Sequence, residues 1–532
     1  MFVCRPTPLF CAAAPWWAVV LAAILLLTGA VGAKAMVSSK PAVGGRQVLR
    51  AGDFAHHVER FNAMEPEGIV NAVPNAAAWD WLLANVPFFE CSDRNVEEIY
   101  WFRWWALRKQ LRLDPGSGRH VFGEFITRAR PVSSALGHHL MEGRWLRDPG
   151  YHDDYVLYWL RGKAGQPQEH LHRFSQWFHH ALWSRWLVTQ DTATLAGLLD
   201  ELVAEYRRWE TEQGRPDGLF WQYDVRDAME ESISGGRKVK NVRPTISVYM
   251  YGNATALAAI ARLAGRADLA TEFDSKAAHL RERVQSTLWN KSLDFFGSVT
   301  EQLTPIPVRE QIGFIPWYFN LPEPGRGFET AWKQFTDEQG FKAPYGLTTA
   351  ERRHPDFRTH GTGTCEWDGA VWPFATAQTL TALANQLRDY PPQSVVTTRD
   401  WFDAFLTYTR SHVYDGLPYI GEYQDEKTGA WLKGRDPRSF YYNHSTYADL
   451  LVTGLVGLRP RADKVVEVAP LLPAGTWDWF CLDGVRYHGR DLTIIWDKDG
   501  KRYGRGAGLT VLVDGKVVAH SARLERVTGL LP

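Results

Sequence analysis

The chain has 532 residues, its 60 basic residues (Lys and Arg) are balanced by 60 acidic ones (Asp and Glu), and 45% of its residues are hydrophobic. This length supports a large core and more than one domain, and the ordinary apolar fraction argues against broad disorder. The zero net charge gives no reason to expect nucleic acid or an acidic membrane surface as a partner.

The N-terminus predicts export from the cytoplasm. No charged residue occurs from Pro6 to Ala33, and this run follows Arg5 and ends in a small-x-small pattern at residues 33–35 that a signal peptidase can cut. The run is also long enough to span a bilayer. We therefore expect residues 1–35 to be a signal peptide or an N-terminal membrane anchor and residues 36–50 to be a polar tether. The rest of the chain should be extracytoplasmic, either secreted or periplasmic, or anchored and facing outward.

Three cysteines lie beyond this segment, Cys91, Cys365 and Cys481. They are widely spaced and odd in number, so the sequence predicts neither a disulfide framework nor a metal cluster. Sequence signatures of serine hydrolases, zinc proteases and phosphate-binding loops are absent from the sequence. We expect no metal and no cofactor.

Residues 51–460 are predicted to form a helical body. The clearest helix pair covers residues 249–265 and 266–289, and the second helix has one apolar stripe, because its apolar residues recur every three or four positions. Gly265 is expected to end the first helix and Asp268 to cap the second. Similar patterns occur at residues 92–110, 171–189, 192–210, 375–387, 398–413 and 446–458. No fixed repeat period is present, so we predict a helical toroid with its loops gathered at one end rather than a solenoid.

Residues 461–532 have a different pattern. Short β-rich runs alternate with Asp-Gly pairs at 483–484, 499–500 and 514–515, and Asp-Gly between such runs is a strong hairpin signal. A small C-terminal β-sandwich is predicted here, packed on the helical body.

Two acidic segments suggest the chemistry of glycosidic bond cleavage, which needs one carboxyl group to protonate the leaving oxygen and another to activate water. Glu422 lies between Gly421 and Tyr423 in a turn-rich stretch, where a helix cap or a salt-bridged face is not expected, and we assign it as the base. The other segment, residues 224–231, is acidic and lies among Trp and Tyr residues, which would raise a carboxyl pKa. Within it we assign Asp227 as the general acid, with Asp224 and Glu230 as the competing assignments.

Two further segments combine aromatic and polar residues in a way that suits sugar rings, since Trp stacks on the ring while Arg and Asp hydrogen-bond its hydroxyls. Residues 365–373 contain Trp367, Asp368 and Trp372, although a Trp-Pro pair is also a helix-start signal. Residues 142–159 contain Arg144, Trp145 and Asp154, for which a surface ion-pair role is equally expected. These six residues are our candidates for substrate binding.

Several short motifs resemble those of the inverting (α/α)6-barrel glycosidases, a clan that includes trehalases, processing α-glucosidase I and mannosylglycerate hydrolase. EWDGAVWP at 366–373 looks like their Pro-Val-Trp-Pro segment, and GEYQDEKTG at 421–429 is similar to their glutamate-bearing segment. The resemblance covers about residues 90–458 and implies an (α/α)6 toroid, an inverting mechanism, an α-linked substrate and no cofactor, with Asp227 and Glu422 in the two acid positions. This chain departs from the pattern at Val225-Arg226, where the clan has Ser-Gly, and at Gln424-Asp425, where it has a proline.

The sequence therefore predicts a mainly α-helical enzyme that hydrolyses an O-glycosidic bond with inversion and binds a carbohydrate substrate. The two carboxyl groups of such an enzyme stand about 6.5–9.5 Å apart, so Asp227 and Glu422 should face one cavity. Three alternatives stay open: a non-catalytic glycan-binding or cell-envelope protein, a phosphorylase, and a polysaccharide lyase that uses a Tyr/His pair. The oligomeric state is not predicted.

Overall fold

The computed structural model describes residues 46–127, 130–359 and 365–532. The predicted export segment and most of the predicted tether therefore lie outside the described residues. Within those residues, no helix is both long and apolar enough to cross a membrane. The last residues assigned to the tether are bound to the folded body, because Arg46 lies 3.7 Å above the ring centroid of Phe88 and donates a hydrogen bond to the Val86 carbonyl.

Helices are the main regular structure of residues 51–460, as predicted. They are α1 (Ala55–Met64), α2 (Ala78–Asn85), α3 (Arg94–Gln110), α4 (Leu136–Gly143), α5 (Gly150–Arg161), α6 (Phe178–Thr189), α7 (Thr192–Gly197), α8 (Leu199–Gln213), α9 (Pro244–Leu263), α10 (Ala267–Thr287), α11 (Ile315–Tyr318), α12 (Lys333–Thr336), α13 (Pro373–Asp389) and α14 (Thr398–Arg410). A short π-helix, Leu450–Leu455, follows them.

The helix pair that the sequence indicated most clearly is α9 and α10. The apolar stripe of α10 is buried, and Gly265 turns the chain between the two helices with a φ of 71°. Asp268 lies inside the first turn of α10 and not at its cap, which is Arg266. An acidic residue in this turn still complements the helix dipole.

An inner ring of helices gives the toroid its shape. Around the ring α4 contacts α6, α6 contacts α9, α9 contacts α11, α11 contacts α13, and α13 contacts the π-helix. Outer helices such as α8, α10 and α14 pack against this ring. The architecture is an (α/α)6 toroid with a C-terminal β domain.

A buried carboxylate on α4 closes the ring. Glu142 accepts hydrogen bonds of 2.9–3.0 Å from the backbone N–H groups of Tyr447, Ala448 and Asp449, at the start of the last inner helix. These donors have no partner inside their own helix, and the negative charge complements the helix dipole. Glu142 therefore joins the first inner helix to the last.

The strands in chain order are β1 (Phe88–Cys91), β2 (Leu111–Leu113), β3 (His120–Phe122), β4 (Asn241–Val242), β5 (Trp289–Asn290), β6 (Phe295–Phe296), β7 (Val299–Thr300), β8 (Lys342–Ala343), β9 (Gly346–Leu347), β10 (Val413–Tyr414), β11 (Leu417–Pro418), β12 (Leu458–Arg459), β13 (Val465–Val468), β14 (Trp479–Tyr487), β15 (Arg490–Asp497), β16 (Gly508–Val513), β17 (Lys516–Ser521) and β18 (Val527–Leu530). Strands β2 to β11 form two-stranded ribbons between helices. The ribbon of β10 and β11 leads directly into the loop that carries Glu422.

Two antiparallel sheets form the C-terminal β domain. One has the order β1-β14-β15-β16-β17 and the other the order β12-β13-β18. Strand β1 comes from the helical part of the chain and pairs with β14 through residues such as Phe88 and Asp483. The β domain is therefore not built from residues 461–532 alone.

Only one of the three Asp-Gly pairs forms the tight hairpin that the sequence predicted. Asp514-Gly515 joins β16 to β17, and both residues have positive φ. Asp483-Gly484 lies inside β14, where the register shifts, so the pair forms a β-bulge. The Asp483 carboxylate faces inward and accepts hydrogen bonds from the backbone N–H groups of residues 47–49.

Candidate active site

A cavity of about 1090 Å³ lies among the loops at one end of the toroid. Its lining combines three kinds of side chain. The acidic residues near its candidate chemistry are Glu124, Glu230 and Glu422; the aromatic residues are Phe174, Trp221, Tyr223, Trp372 and Tyr442; the arginines are Arg130, Arg173, Arg208, Arg226 and Arg438.

Glu422 lines this cavity, as the sequence predicted for the base. The loop before it is tightly packed, because a Cβ at Gly421 would lie 2.7 Å from Trp431 and 2.9 Å from the Ser439 hydroxyl. The backbone N–H of Glu422 donates to that same hydroxyl at 2.9 Å. Two backbone hydrogen bonds of 2.9 Å between Gln424 and Val371 then fasten the loop to the segment before α13.

The Glu422 carboxylate has two close partners. It forms an ion pair with Lys433, and the Cys365 thiol lies 3.9 Å from its Oε1 atom. Burial raises the pKa of Glu422, whereas Lys433, Arg438 and Cys365 oppose that rise. Lys433 thus favours the ionised form that a base requires.

Glu230 is the second acid of the cavity. Burial raises the pKa of Glu230 to about 7, and the negative charge of Glu422 adds to the rise. A carboxyl group with this pKa is protonated in about half of the molecules near neutral pH, and a general acid needs that protonated form. Glu230 was a competing assignment in the sequence, and its placement beside Glu422 makes it the stronger candidate for the acid.

Asp227, the acid assigned from the sequence, does not line the cavity. Its side chain is fully buried and forms an ion pair of 2.6 Å with Arg243, at the start of α9, and a hydrogen bond with Thr245. Asp227 and Glu422 therefore do not line the same cavity. The side chain of Asp227 fastens the acid-bearing loop to α9.

Asp224, the other competing assignment, also holds the loop in place. It accepts hydrogen bonds from the backbone N–H groups of Val225 and Gly236, at 2.7 and 2.9 Å. A Cβ at Gly235 would collide with its carboxylate, so this position requires glycine. Between Asp224 and Glu230, Ala228 has a φ of 61°, a strained conformation of the kind that often occurs at functional sites.

The segment at 365–373 contributes Trp372 and Cys365 to the cavity. The Trp372 ring stacks between Trp367 and Tyr423, at centroid distances of 4.3 and 4.7 Å, and its indole N–H donates to the Glu366 carbonyl at 2.8 Å. Trp367 is buried behind Trp372 and does not line the cavity. The stack fixes the orientation of the Trp372 ring.

Asp368 lies outside the main cavity. It forms an ion pair with Arg358 and lines an adjoining cavity of about 530 Å³ that also contains Glu230 and Glu231. Burial raises the pKa of Asp368, and Arg358 opposes this rise.

The three predicted substrate-binding residues of the earlier segment lie elsewhere. Arg144 and Trp145 both donate to the buried carboxylate of Asp449, at 2.8 and 2.7 Å, and so reinforce the closure of the inner ring. Asp154 on α5 accepts a hydrogen bond from the backbone N–H of His120 at 3.0 Å and lies 2.8 Å from its ring Nδ1. None of the three lines the cavity. An Arg, Trp and Asp pattern occurs both in sugar-binding sites and in polar networks that support the fold, so the sequence alone did not distinguish the two roles.

A buried polar group that the sequence assignments missed also lines the cavity. The Tyr442 hydroxyl lies 2.7 Å from His444 Nδ1, and His444 Nε2 lies 3.4 Å from Glu124 Oε1. Burial raises the pKa of Tyr442 well above its ordinary value, so its hydroxyl stays protonated. The sequence signal for this group was the aromatic and polar run at residues 440–445, which directly precedes the last inner helix.

Trp221 and Tyr223 supply partly exposed aromatic surface beside the acid-bearing loop. Their rings meet edge to face with centroids 5.2 Å apart, and both line the cavity. Within the described residues, no group of three or more His, Cys, Asp or Glu side chains is arranged to hold a metal ion.

Comparison with known families gives matches to both parts of the chain. Residues 129–445 match the mannosylglycerate hydrolase MGH1-like glycoside hydrolase domain, and residues 458–520 match the C-terminal domain of glycosyl hydrolase family 65. The first match contains Glu230 and Glu422, and the second lies within the β domain.

Several solved structures are similar to this chain. One named sialidase is 49% identical over 92% of this chain, with a TM-score of 0.89, and this chain spans 46% of that protein. The GH63 mannosylglycerate hydrolase from Thermus thermophilus in complex with Tris is 16% identical, with a TM-score of 0.50, over 66% of this chain and 98% of that one. A GH78 family rhamnosidase of Bacillus sp. GL1 is 14% identical, with a TM-score of 0.57, over 80% of this chain and 41% of that one. The last two likenesses show the fold alone. Because the first family match covers more than half of the sequence, the chain belongs to the mannosylglycerate hydrolase MGH1-like family of glycoside hydrolases.

Proposed function

We propose that this protein is an inverting glycoside hydrolase in which Glu230 is the general acid and Glu422 the general base. The observation that carries the proposal is that these two carboxyl groups line one cavity and that, among the described residues, only Glu422 of the two forms an ion pair. Glu230 has a pKa of about 7 because it is largely buried, whereas Glu422 is paired with Lys433. Two acids whose surroundings favour different protonation states can take the two roles.

The reaction follows from these states. Protonated Glu230 gives its proton to the glycosidic oxygen as the bond between that oxygen and the anomeric carbon breaks. Ionised Glu422 takes a proton from a water molecule, whose oxygen attacks the anomeric carbon from the opposite face. The product therefore has the inverted anomeric configuration, and proton exchange with solvent restores both acids.

The surrounding side chains support sugar binding. Trp221 and Tyr223 offer partly exposed aromatic rings for sugar rings, while Tyr442, His444 and Glu124 offer polar groups for ring hydroxyls. The similar proteins are named for different sugars, so we take no sugar from them. We infer an α-linked substrate from the motif resemblance.

Product configuration tests the proposal. The parent enzyme would be incubated with a panel of α- and β-linked oligosaccharides, and the first anomer released would be followed by NMR. We expect an inverted anomer, and we expect Glu230→Gln and Glu422→Gln to abolish turnover without loss of fold. A retained anomer would rule out single displacement, and turnover that requires phosphate would indicate a phosphorylase. If the protein binds an oligosaccharide of the panel but does not cleave it, that result would favour a glycan-binding protein.

A polysaccharide lyase is the second candidate, because one observation favours it. The Tyr442 hydroxyl and the His444 ring lie 2.7 Å apart in the same cavity as the two acids, and β-elimination by such a pair needs no attacking water. Unsaturated products absorb ultraviolet light, so a rise in absorbance during turnover that survives in Glu422→Gln would support the lyase against the hydrolase.

A further inference from the structure

The cavity contains arginines without a carboxylate partner, a feature that the overall composition does not reveal. Four of its arginines, Arg130, Arg173, Arg226 and Arg438, form no ion pair with any carboxylate among the described residues. The fifth, Arg208, is paired with Glu212 at 2.7 Å. A chain with no net charge thus gathers unpaired guanidinium groups around one cavity.

None of the acidic residues of the cavity forms an ion pair with these four arginines among the described residues. Glu169 pairs with Lys163, Glu212 with Arg208, and Glu422 with Lys433, while Glu124 lies 3.4 Å from His444 Nε2. Glu230 is about half protonated near neutral pH. The four unpaired arginines therefore leave local positive charge in the cavity, and such charge attracts ligands of the opposite sign.

Two of the arginines flank an aromatic ring close to the proposed acid. The guanidinium carbons of Arg173 and Arg226 lie 5.6 and 6.0 Å from the centroid of the Phe174 ring. The backbone N–H of Ser175 donates to the Arg226 carbonyl at 2.9 Å, which joins the two loops that carry them. Arg226 precedes Glu230 by four residues, so this group belongs to the acid side of the cavity.

Arg438 belongs to the base side. It is exposed and directly precedes Ser439, whose hydroxyl accepts the hydrogen bond from the Glu422 backbone. Arg438 opposes the rise in the pKa of Glu422, as expected for a nearby positive charge. Unpaired arginines are thus present on two different sides of the proposed reaction centre.

A guanidinium group binds an oxyanion with two parallel hydrogen bonds, which an uncharged hydroxyl does not match in strength. We propose that the saccharide bound in this cavity is polyanionic, with one carboxylate or sulfate group held by Arg173 and Arg226 beside Arg130, and another held by Arg438. This proposal rests on the proposed function for the position of the scissile bond. It extends that function by giving the chemical class of the substrate.

A binding experiment on the full chain tests the charge requirement without relying on turnover. The Glu230→Gln/Glu422→Gln variant would be titrated calorimetrically with oligogalacturonate and with its methyl ester, which has the same backbone and linkage but no charge. Maltotriose and sulfated maltotriose form a second pair, so the two pairs distinguish carboxylate from sulfate. We expect at least one anionic ligand to bind about tenfold or more tightly than its neutral partner, and salt to weaken that binding.

Arginine variants then locate the binding groups. In the same background, Arg173→Gln, Arg226→Gln and Arg438→Gln should each weaken anionic binding about tenfold and leave neutral binding unchanged. Arg173→Lys and Arg226→Lys keep the charge and should recover part of the affinity. Arg505→Gln, at an exposed position in the loop between β15 and β16, is the matched control and should change nothing.

Each outcome decides the proposal. Equal affinity within both pairs, no binding of either anionic ligand, or anionic binding that the three glutamine variants leave unchanged would overturn it. Inverting turnover of neutral oligosaccharides together with equal affinities would keep the hydrolase and reject the anionic substrate. Tight anionic binding with no turnover by the parent enzyme would keep the anionic ligand and reject the hydrolase.

Discussion

At the residue scale, the ion pair between Lys433 and Glu422 controls the protonation of the proposed base. Burial raises the pKa of Glu422, and the Lys433 ammonium opposes this rise. Activity should be lost on the acidic side as Glu422 gains its proton, and on the basic side as Glu230 loses its proton near pH 7. We expect a narrow bell-shaped profile whose two limbs belong to the coupled pair.

Replacing Lys433 therefore gives a first prediction. In Lys433→Met the pKa of Glu422 rises further, so the acidic limb of kcat/KM should move to higher pH by about one unit and maximal activity should fall about tenfold. Lys433→Arg retains the charge and should keep the limb near its original position. The measurement is kcat/KM against pH for the three proteins, and an unmoved acidic limb in Lys433→Met would show that Lys433 does not tune the base.

Asp227 and Glu230 give the second prediction, because they are three residues apart and have different surroundings. Asp227→Asn leaves the buried Arg243 guanidinium without its carboxylate, which should lower the free energy of unfolding by about 3–5 kcal/mol. The protein that remains folded should keep turnover. Glu230→Gln should show the reverse pattern, with near-parental stability and no turnover.

Urea unfolding curves and turnover per folded molecule measure these two effects. Asp227→Asn/Arg243→Met removes both charges and should recover part of the lost stability. Full stability and no turnover in Asp227→Asn would return the acid role to Asp227.

Of the two residues that the sequence assigned to the chemistry, Glu422 lines the cavity and Asp227 does not, whereas the competing Glu230 does. Helical or strand periodicity tells which residues share a face, but residues 224–236 have neither. The loop is oriented by the hydrogen bonds of Asp224 and the left-handed conformation of Ala228. Both depend on contacts with residues outside the motif, so the direction of each carboxylate could not be predicted.

At the element scale, helix positions followed from apolar periodicity, but helix ends depended on capping. Asp93 accepts hydrogen bonds from two backbone N–H groups in the first turn of α3. This N-cap fixes the first residue of the helix that the sequence predicted at 92–110. The predicted helix at 192–210 is interrupted between Gly197 and Leu199. The Asp483-Gly484 pair has the Asp-Gly sequence typical of a hairpin turn, but it forms a bulge inside β14. Only the pairing of β14 with its neighbouring strands distinguishes a bulge from a hairpin turn here.

The closure of the inner ring gives the third prediction. Glu142→Ala leaves the first N–H groups of the last inner helix without an acceptor inside the core, and it removes the carboxylate that faces Arg103 at 3.8 Å. We expect a loss of at least about 3 kcal/mol in the free energy of unfolding. Hydrogen exchange should speed up first at residues 446–455, because that helix loses its attachment. Asp514→Ala, in an exposed hairpin of the β domain, is the control and should leave this exchange unchanged; uniform protection in Glu142→Ala would contradict the closing role.

At the scale of the whole molecule, the helical body and the β domain share a continuous interface that the sequence boundaries at 460 and 461 do not suggest. Strand β1 pairs with β14 across almost four hundred residues, and Asp483 binds the backbone of residues 47–49. Arg147 donates to Asp491 at 2.9 Å. The sequence of a four-residue strand is too short to predict pairing with so distant a strand. The sequence therefore predicted two domains but not the sheet that they share.

This shared sheet predicts how the molecule unfolds. Separating the β domain would expose the edge of β14 and leave the buried Asp483 carboxylate without its backbone donors, so neither part should be stable once the other unfolds. Calorimetry of residues 46–532 should therefore show one cooperative transition, with equal calorimetric and van't Hoff enthalpies. A chain that ends at residue 460 should give no soluble folded protein, whereas Asp483→Ala should weaken the whole molecule in a single step. Two separate transitions, of which Asp483→Ala lowers only one, would show that the β domain folds on its own and that β1 is merely an added edge.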